Sequence, residues 1–246
     1  MRRGFHEPSA KPRRFYKTAE VAQIDGAFTV LLDGRSMRAP KGTKLVLSTR
    51  ALADQVCEEW AGQGETIELA TMHATRLANT ALEAVAQARD ATADGVAGYA
   101  ASDLLCYFAE QPAGLVERQT RHWEPLLRRA ETEARLSFVR AAGVVHQAQP
   151  EETLAEVKAI ALSLDDFALT GLAFGASLFG SAILAIALQR GWLTGEQAYE
   201  LSRVDETWQE EQWGVDDEAA QRTERLRGEA VMLDRWFKGL ATGAAP

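Results

Sequence analysis

Cysteine is scarce in this sequence, with two in 246 residues, Cys57 and Cys106, each inside an apolar-periodic run. A disulfide framework is thereby excluded, and both read as buried free thiols of a reducing compartment. Histidine is nearly as thin: His6, His73, His122 and His146 form no i, i+4 pair and there is no Cys-x-x-Cys, so a zinc site would need ligands gathered from unrelated segments. Basic charge is in deficit as well, 27 Lys and Arg against 35 Asp and Glu, for a net charge of -8. That balance excludes a general nucleic-acid binder, because phosphate contacts need a basic face. There is no Gly-x-Ser-x-Gly elbow, and no Rossmann glycine triplet follows a strand. Gly175 and Gly180 have the glycine spacing of a phosphate loop, but no lysine follows and the segment is apolar, so it cannot neutralise phosphate. No cofactor and no metal are expected.

What is present is ample apolar material, 46% of residues, enough for a substantial core. Residues 15–23, 28–32, 36–39 and 44–47 have strand character, separated by Asp25-Gly26 and Asp33-Gly34, which supply the positive φ of tight hairpins. Ser48 is the expected N-cap of a helix through Trp60, with Leu52, Val56, Cys57 and Trp60 on one face. After a returning strand at 66–69, helices are expected at 75–87, 92–101, 115–134, 151–164, 167–190, 195–213 and 216–240. The fold class is therefore α+β. A small β-rich N-terminal domain (1–80) with one or two helices precedes a larger all-α helical C-terminal domain (81–246), with the boundary near 70–90.

Residues 167–188 carry no charge over 22 positions. Their length suggests a membrane span, but Gly171, Gly175, Gly180 and the hydroxylic residues make the stretch small and only moderately apolar, and no aromatic belt or basic side flanks it. A central buried helix, broken near Gly175, is the reading, with no stable membrane insertion. Six Lys or Arg occur in the first eighteen residues with no apolar stretch after them, so a secretory signal is not expected. The expected place is the bacterial cytoplasm, with the mitochondrial matrix as the alternative, and the expected state is a monomer.

Three segments mix aromatics with polar groups. One is Glu59-Trp60, leading into Thr71-Met72-His73-Ala74-Thr75. Another is Ser102-Asp103-Leu104-Leu105-Cys106-Tyr107, followed by Leu115, Gln119, Trp123, Glu124, Pro125 and Leu126; here Leu115, Gln119 and Trp123 share a helix stripe with an amide between apolar groups. The third contains Asp205, Trp208, Gln209, Trp213 and Gly214, in a stretch (204–221) with seven acids and no base. Asp205, Gln209 and Trp213 recur every four residues, so an acid, an amide and an indole line one strip, a composition suited to an interface. Arg203 is two residues from Asp205 and on a helix points elsewhere. An exposed acid is the expectation, with Arg222 or Arg225 as candidate partners.

Taken together, these segments resemble the ATP12 family over residues 14–220. Ser102 stands where that family usually has Thr, Asp205 where Glu is common, and Trp208 where a smaller aromatic is common. The resemblance implies two domains and an assembly chaperone that binds the unassembled α subunit of F1 ATP synthase, with no cofactor. It points to Asp205, Trp208, Gln209, Trp213 and Gly214 as partner-binding candidates, and to Trp60, Asp103, Tyr107, Gln119, Trp123 and Pro125 as structural or binding residues. The alternatives are an enzyme of unrecognised type using Asp205 and Glu206 with His122, and a membrane-anchored adaptor through 167–188.

Trp60 ends an amphipathic helix, so its indole should be packed. Trp60→Ala is then expected to cost about 3–5 kcal/mol in chemical or thermal unfolding. An unchanged melting temperature would put the ring on the surface.

Overall fold

The computed structural model describes residues 11–143, 145–214 and 217–242. Strands β1 (Ala19–Ile24), β2 (Ala27–Leu32) and β3 (Arg35–Ser36) form an antiparallel sheet in that order, with Val21 opposite Val30. Both turns have the expected left-handed pairs, Asp25 and Gly26 at φ 53 and 84, Asp33 and Gly34 at φ 48 and 76. Beyond β3 the expected strands at 36–39 and 44–47 make only isolated bridges, Arg38 with Lys44 and Phe28 with Leu47. Pro40 offers no N–H, and the chain folds tightly there through Ala39 and Gly42. The segment around Thr66 likewise makes one bridge, to Arg13.

Helix α1 (Arg50–Ala61) covers the sheet, burying Leu52, Ala53, Val56 and Trp60. Its cap is Thr49, one residue later than expected. The hydroxyl accepts from Leu52 N–H at 3.1 Å and donates to the Gly239 carbonyl at 2.9 Å, so Thr49 is chosen by a contact 190 residues away. Trp60 is buried at 8% exposure, its carbonyl accepting from Tyr16 Oη at 2.7 Å and its ring 5.5 Å from the Tyr16 ring. Glu59 accepts from the N–H groups of Ala74 and Thr75 and from Thr75 Oγ1, capping α2 (His73–Glu83). The Glu59-Trp60 element thus ties α1 to Tyr16 and to the start of α2.

The helices continue as α3 (Arg89–Ala101) and α4 (Ala113–Ala134), with the strand β4 (Tyr107–Phe108) between them running parallel to β5 (Ala141–Ala142). Then come α5 (Glu151–Ser163), α6 (Asp166–Phe179), α7 (Ala182–Gln189), α8 (Gly195–Ser202), α9 (Val204–Trp213) and α10 (Asp217–Ala241). Two long helices expected from the sequence are each divided. The uncharged stretch breaks at Gly180 (φ 62) and Ser181, not near Gly175. The 195–213 stretch breaks at Arg203, whose φ of -116 leaves the helical region.

The first break has a specific cause in Asp103. This carboxylate is fully buried; Oδ1 accepts from Ser181 Oγ at 2.6 Å and Leu105 N–H at 3.1 Å, and Oδ2 from Ile183 N–H at 3.0 Å. It thus caps α7 and the turn Leu104–Cys106 together. A continuous helix would bond the Ile183 N–H internally and take that donor from the acid. Residues 182–188 are all buried, and among the described residues no helix is long and apolar enough to cross a membrane.

The glycines of α6 admit α10. A Cβ at Gly171 would lie 3.0 Å from Phe237 and Trp236, and one at Gly175 3.0 Å from Leu233. Trp236, itself buried, donates to the Phe167 carbonyl at 3.1 Å. At its far end α10 reaches α1, where Arg235 pairs with Glu58 at 2.7 Å and its carbonyl accepts from Gln55 Nε2 at 2.8 Å. One continuous buried cluster therefore runs from Tyr16 through the helices to Phe237. Both thiols are free, Cys106 buried and Cys57 half-buried.

Burial pushes the Asp103 carboxyl up to about 6, opposed by the donors of Ser181, Ile183 and Leu105. Its folded pKa lies above the unfolded value of about 4, so the folded state holds the extra proton between them. The contribution of this group is full below about pH 4 and is lost as pH rises through about 6. Melting curves of the wild type and Asp103→Asn should accordingly diverge with pH inside that window and run parallel outside it. Parallel curves throughout would show that the buried carboxyl titrates as it does in the unfolded chain.

Candidate functional site

The second helical break sets α9 down along α4. The stripe on α4 is as expected, with Gln119 and Trp123 both buried and Leu115 half-buried. Trp123 donates to the Leu201 carbonyl at 2.9 Å and meets Phe108 edge-on at 5.6 Å, which ties α4 to the end of α8 and to β4. Gln119 is bonded at both ends: Oε1 accepts from Ala109 N–H at 2.7 Å, and Nε2 donates to Asp205 Oδ1 at 2.6 Å. Burying an amide is tolerable only when both its groups are used, and Asp205 supplies the acceptor.

Asp205 is consequently half-buried, not the freely exposed acid expected, and its partner is an amide. Arg203 does point away, to Glu210 at 2.6 Å, and neither Arg222 nor Arg225 pairs with Asp205 among the described residues. With Tyr107, Phe108, Glu110, Gln111 and Gln119, Asp205 lines a cleft of about 660 Å³. Tyr107 Oη lies 3.0 Å from His146 Nδ1 at the margin of this region.

Two further contacts lock α9. Arg118 and Glu211 form a bidentate pair, both bonds 2.8 Å, which raises the guanidinium pKa and lowers that of the carboxyl, the paired side chain being the main cause in each. The Trp208 indole lies beneath the Arg118 guanidinium, 5.0 Å from its ring centre, and against Gly114. On the outer side of the helix Gln209 is exposed, and Trp213 is 79% exposed at its last turn. Gly214, at φ 82, ends α9 with its N–H on the Glu210 carbonyl at 2.8 Å.

Tyr107, Gln119 and Asp205 therefore share one cleft. Trp208 sits beside it against α4, and Gln209, Trp213 and Gly214 face outward from the same helix. Trp60 and Asp103 are buried elsewhere in the fold, and Pro125 is exposed on α4. His122 and Asp205 line different grooves, so the acid and histidine of the enzymatic alternative are not brought together. Among the described residues no group of three or more His, Cys, Asp or Glu side chains could hold a metal ion. Sequence reasoning missed Gly114, Arg118 and Glu211. The pair is 93 residues apart, and its only trace was the unexplained acidity of α9.

The family model described as ATP12 chaperone protein matches residues 13–131, from the first bridge through most of α4. A crystal structure of Atp12 from Paracoccus denitrificans matches with a TM-score of 0.85 at 37% identity, over 92% of this chain and 97% of that one. The chain belongs to the ATP12 family. A candidate chaperone of solved structure from Agrobacterium tumefaciens is similar at TM-score 0.87 and 39% identity, covering 93% of this chain and 86% of that one. The fission yeast protein named atp12, mitochondrial, is 23% identical over 224 residues, 86% of this chain and 77% of its own length. In this ATP12 chain α9, the helix with the exposed tryptophan, lies beyond the part matched by the family model.

Gly114 is what lets Trp208 lie flat. A Cβ there would come within 2.7 Å of the indole Cη2. Gly114→Ala should cost about 1 kcal/mol, the low end for overpacking because a half-buried ring can tilt into solvent. Faster amide exchange across 204–213 is expected to accompany that loss; unchanged protection there would mean that Trp208 does not hold α9 in place.

Proposed function

We propose that this protein is an assembly chaperone that binds the unassembled α subunit of F1 ATP synthase and holds it until F1 forms. The outer face of α9, we infer, is where that subunit docks. One observation carries the reading. A tryptophan 79% exposed stands at the end of a helix that is fixed to the body by Gln119–Asp205, Arg118–Glu211 and Trp208 on Gly114. An indole in water on a rigid support loses little entropy when it enters a partner's pocket, and rigid aromatic anchors with polar surroundings are the usual hot spots of protein interfaces.

The chemistry suits a chaperone that must later let go. A broad apolar patch would hold the subunit too firmly and invite self-association, whereas a single indole beside Gln209 and Asp205 gives moderate, specific affinity. Asp205 has a second role in this reading. Its Oδ1 accepts from Gln119, and the carboxylate, which lines the cleft, can accept a further donor from the subunit. The family resemblance and the chaperone description of the matching family model support the assignment of the work to F1 assembly.

Capture of purified F1 α subunit and thermal melting, measured on the same variants, test this. Trp213→Ala should leave the melting temperature unchanged and weaken capture by about 2 kcal/mol or more. Asp205→Lys should keep the helical circular dichroism, lower the melting temperature modestly through the lost Gln119 bond, and weaken capture by about 1–3 kcal/mol. Wild-type capture undiminished in either variant would move the docking surface off α9.

A further inference from the structure

The cleft beside the first turn of α9 is negative, and nothing in its lining offsets that charge. Among the described residues it is lined by two charged side chains, Glu110 and Asp205, and by no cation. The basic residues that neighbour it along α9 and α4 are engaged elsewhere, Arg203 with Glu210 at 2.6 Å and Arg118 with Glu211 at 2.8 Å. Neither Glu110 nor Asp205 forms an ion pair among the described residues; Asp205 accepts from Gln119 Nε2, a neutral donor that leaves the carboxylate its charge. His146 meets Tyr107 Oη at 3.0 Å and stands outside the lining.

The two carboxylates come from separate elements. Asp205 is positioned by Gln119, whose other end is bonded to Ala109 N–H at 2.7 Å. Glu110 lies over Gly143, its carboxylate carbon 3.2 Å from where a Cβ on that glycine would stand, and Gly143 is itself part of the cleft wall. The same cleft presents the half-buried rings of Tyr107 and Phe108 and the half-buried side chain of Leu104. Apolar surface together with uncompensated acids suits a long basic side chain, whose methylenes can lie on the rings while its charge meets the carboxylates.

We propose that this cleft receives an arginine side chain of the client, its guanidinium bonded by Asp205 and Glu110 and its stem laid on Tyr107 and Phe108. A guanidinium offers several donors in one plane, so it can serve two carboxylates at once and still stack on an aromatic face, which the compact ammonium of lysine does less well. The inference rests on the reading that α9 docks the F1 α subunit, and it adds the identity of the donor that Asp205 accepts. Asp205 and Trp213 stand in the first and last turns of α9, a rise of about 12 Å along the helix. A matching client surface therefore carries a guanidinium and a pocket for an indole at about that separation. The negative cleft also steers the basic group toward it during approach.

The test uses the full chain and purified F1 α subunit at about pH 8, where an ordinary histidine is uncharged, with association followed at low salt and at about 0.3 M salt. Glu110 is exposed and makes no hydrogen bond among the described residues, so its variants should melt as the wild type does. Glu110→Lys should lower affinity about tenfold or more at low salt, and Glu110→Gln, which keeps the shape, about threefold, with both deficits shrinking as salt rises. Argininamide should compete with the α subunit for the wild-type chain more strongly than lysinamide at equal ionic strength; equal competition would overturn the assignment of arginine. If Trp213→Ala loses capture while both Glu110 variants bind as the wild type does at low salt, this inference is overturned and the α9 reading stands. If the wild-type chain captures no α subunit, the α9 reading falls and this inference with it.

Discussion

The carboxylate of Asp103, buried and bonded to Ser181 Oγ and Ile183 N–H, holds the bend between α6 and α7, and the surrounding helices take their places from that bend. A straight helix through this stretch would run some 30 Å and leave the middle of a modest protein on both sides. Broken at Gly180, the same stretch becomes two short helices, α7 buried from Ala182 to Leu188 and α6 buried along the face that meets its neighbours. Part of the cost of burying an acid is met by the Ile183 N–H, a donor that the break has freed, so the acid and the break support each other.

Around that centre the small residues decide how close its neighbours come. Gly171 and Gly175 let Trp236, Phe237 and Leu233 of α10 settle onto α6, and Gly195 at the start of α8 lies directly against the Ala230 backbone. Helix α10 then continues to the strand-rich segment, where Thr49 and Gln55 bond its last carbonyls. The N-terminal segment and the last helix are thus joined through α1 and its cap.

The surface proposed for the client is built by the same logic at smaller scale. Gln119 is a core amide whose two ends must be satisfied, and the chain meets one with the backbone after β4 and the other with Asp205 of α9. That requirement turns a short, mostly solvent-facing helix into a fixed platform. A residue proposed for the interface and a buried amide are here the two ends of one hydrogen bond, which is why a motif containing both resists division into roles from its letters alone.

Much of the local structure was legible in the sequence because it rests on neighbours along the chain. The Asp-Gly pairs specify their turns through the φ they tolerate, the apolar spacing of 50–61 and 113–134 marks which helical face is buried, and Trp60 was identifiable as packed from its place at the end of such a face. The resemblance of ordered motifs carried the family. What the letters could not decide were quantities that depend on residues far away in the chain. The cap fell on Thr49 rather than Ser48 because Gly239 is there to accept its hydroxyl proton, and the apolar stretch broke at Gly180 rather than Gly175 because Asp103 waits beside Ser181 while α10 needs Gly175 inside a regular helix. Asp205 read as an exposed acid because nothing within a helical turn pairs with it; its partner lies 86 residues earlier. Periodicity reports which face of an element is apolar, but a polar group is bonded by whatever the fold brings within 3 Å, and only the tertiary structure decides what that is.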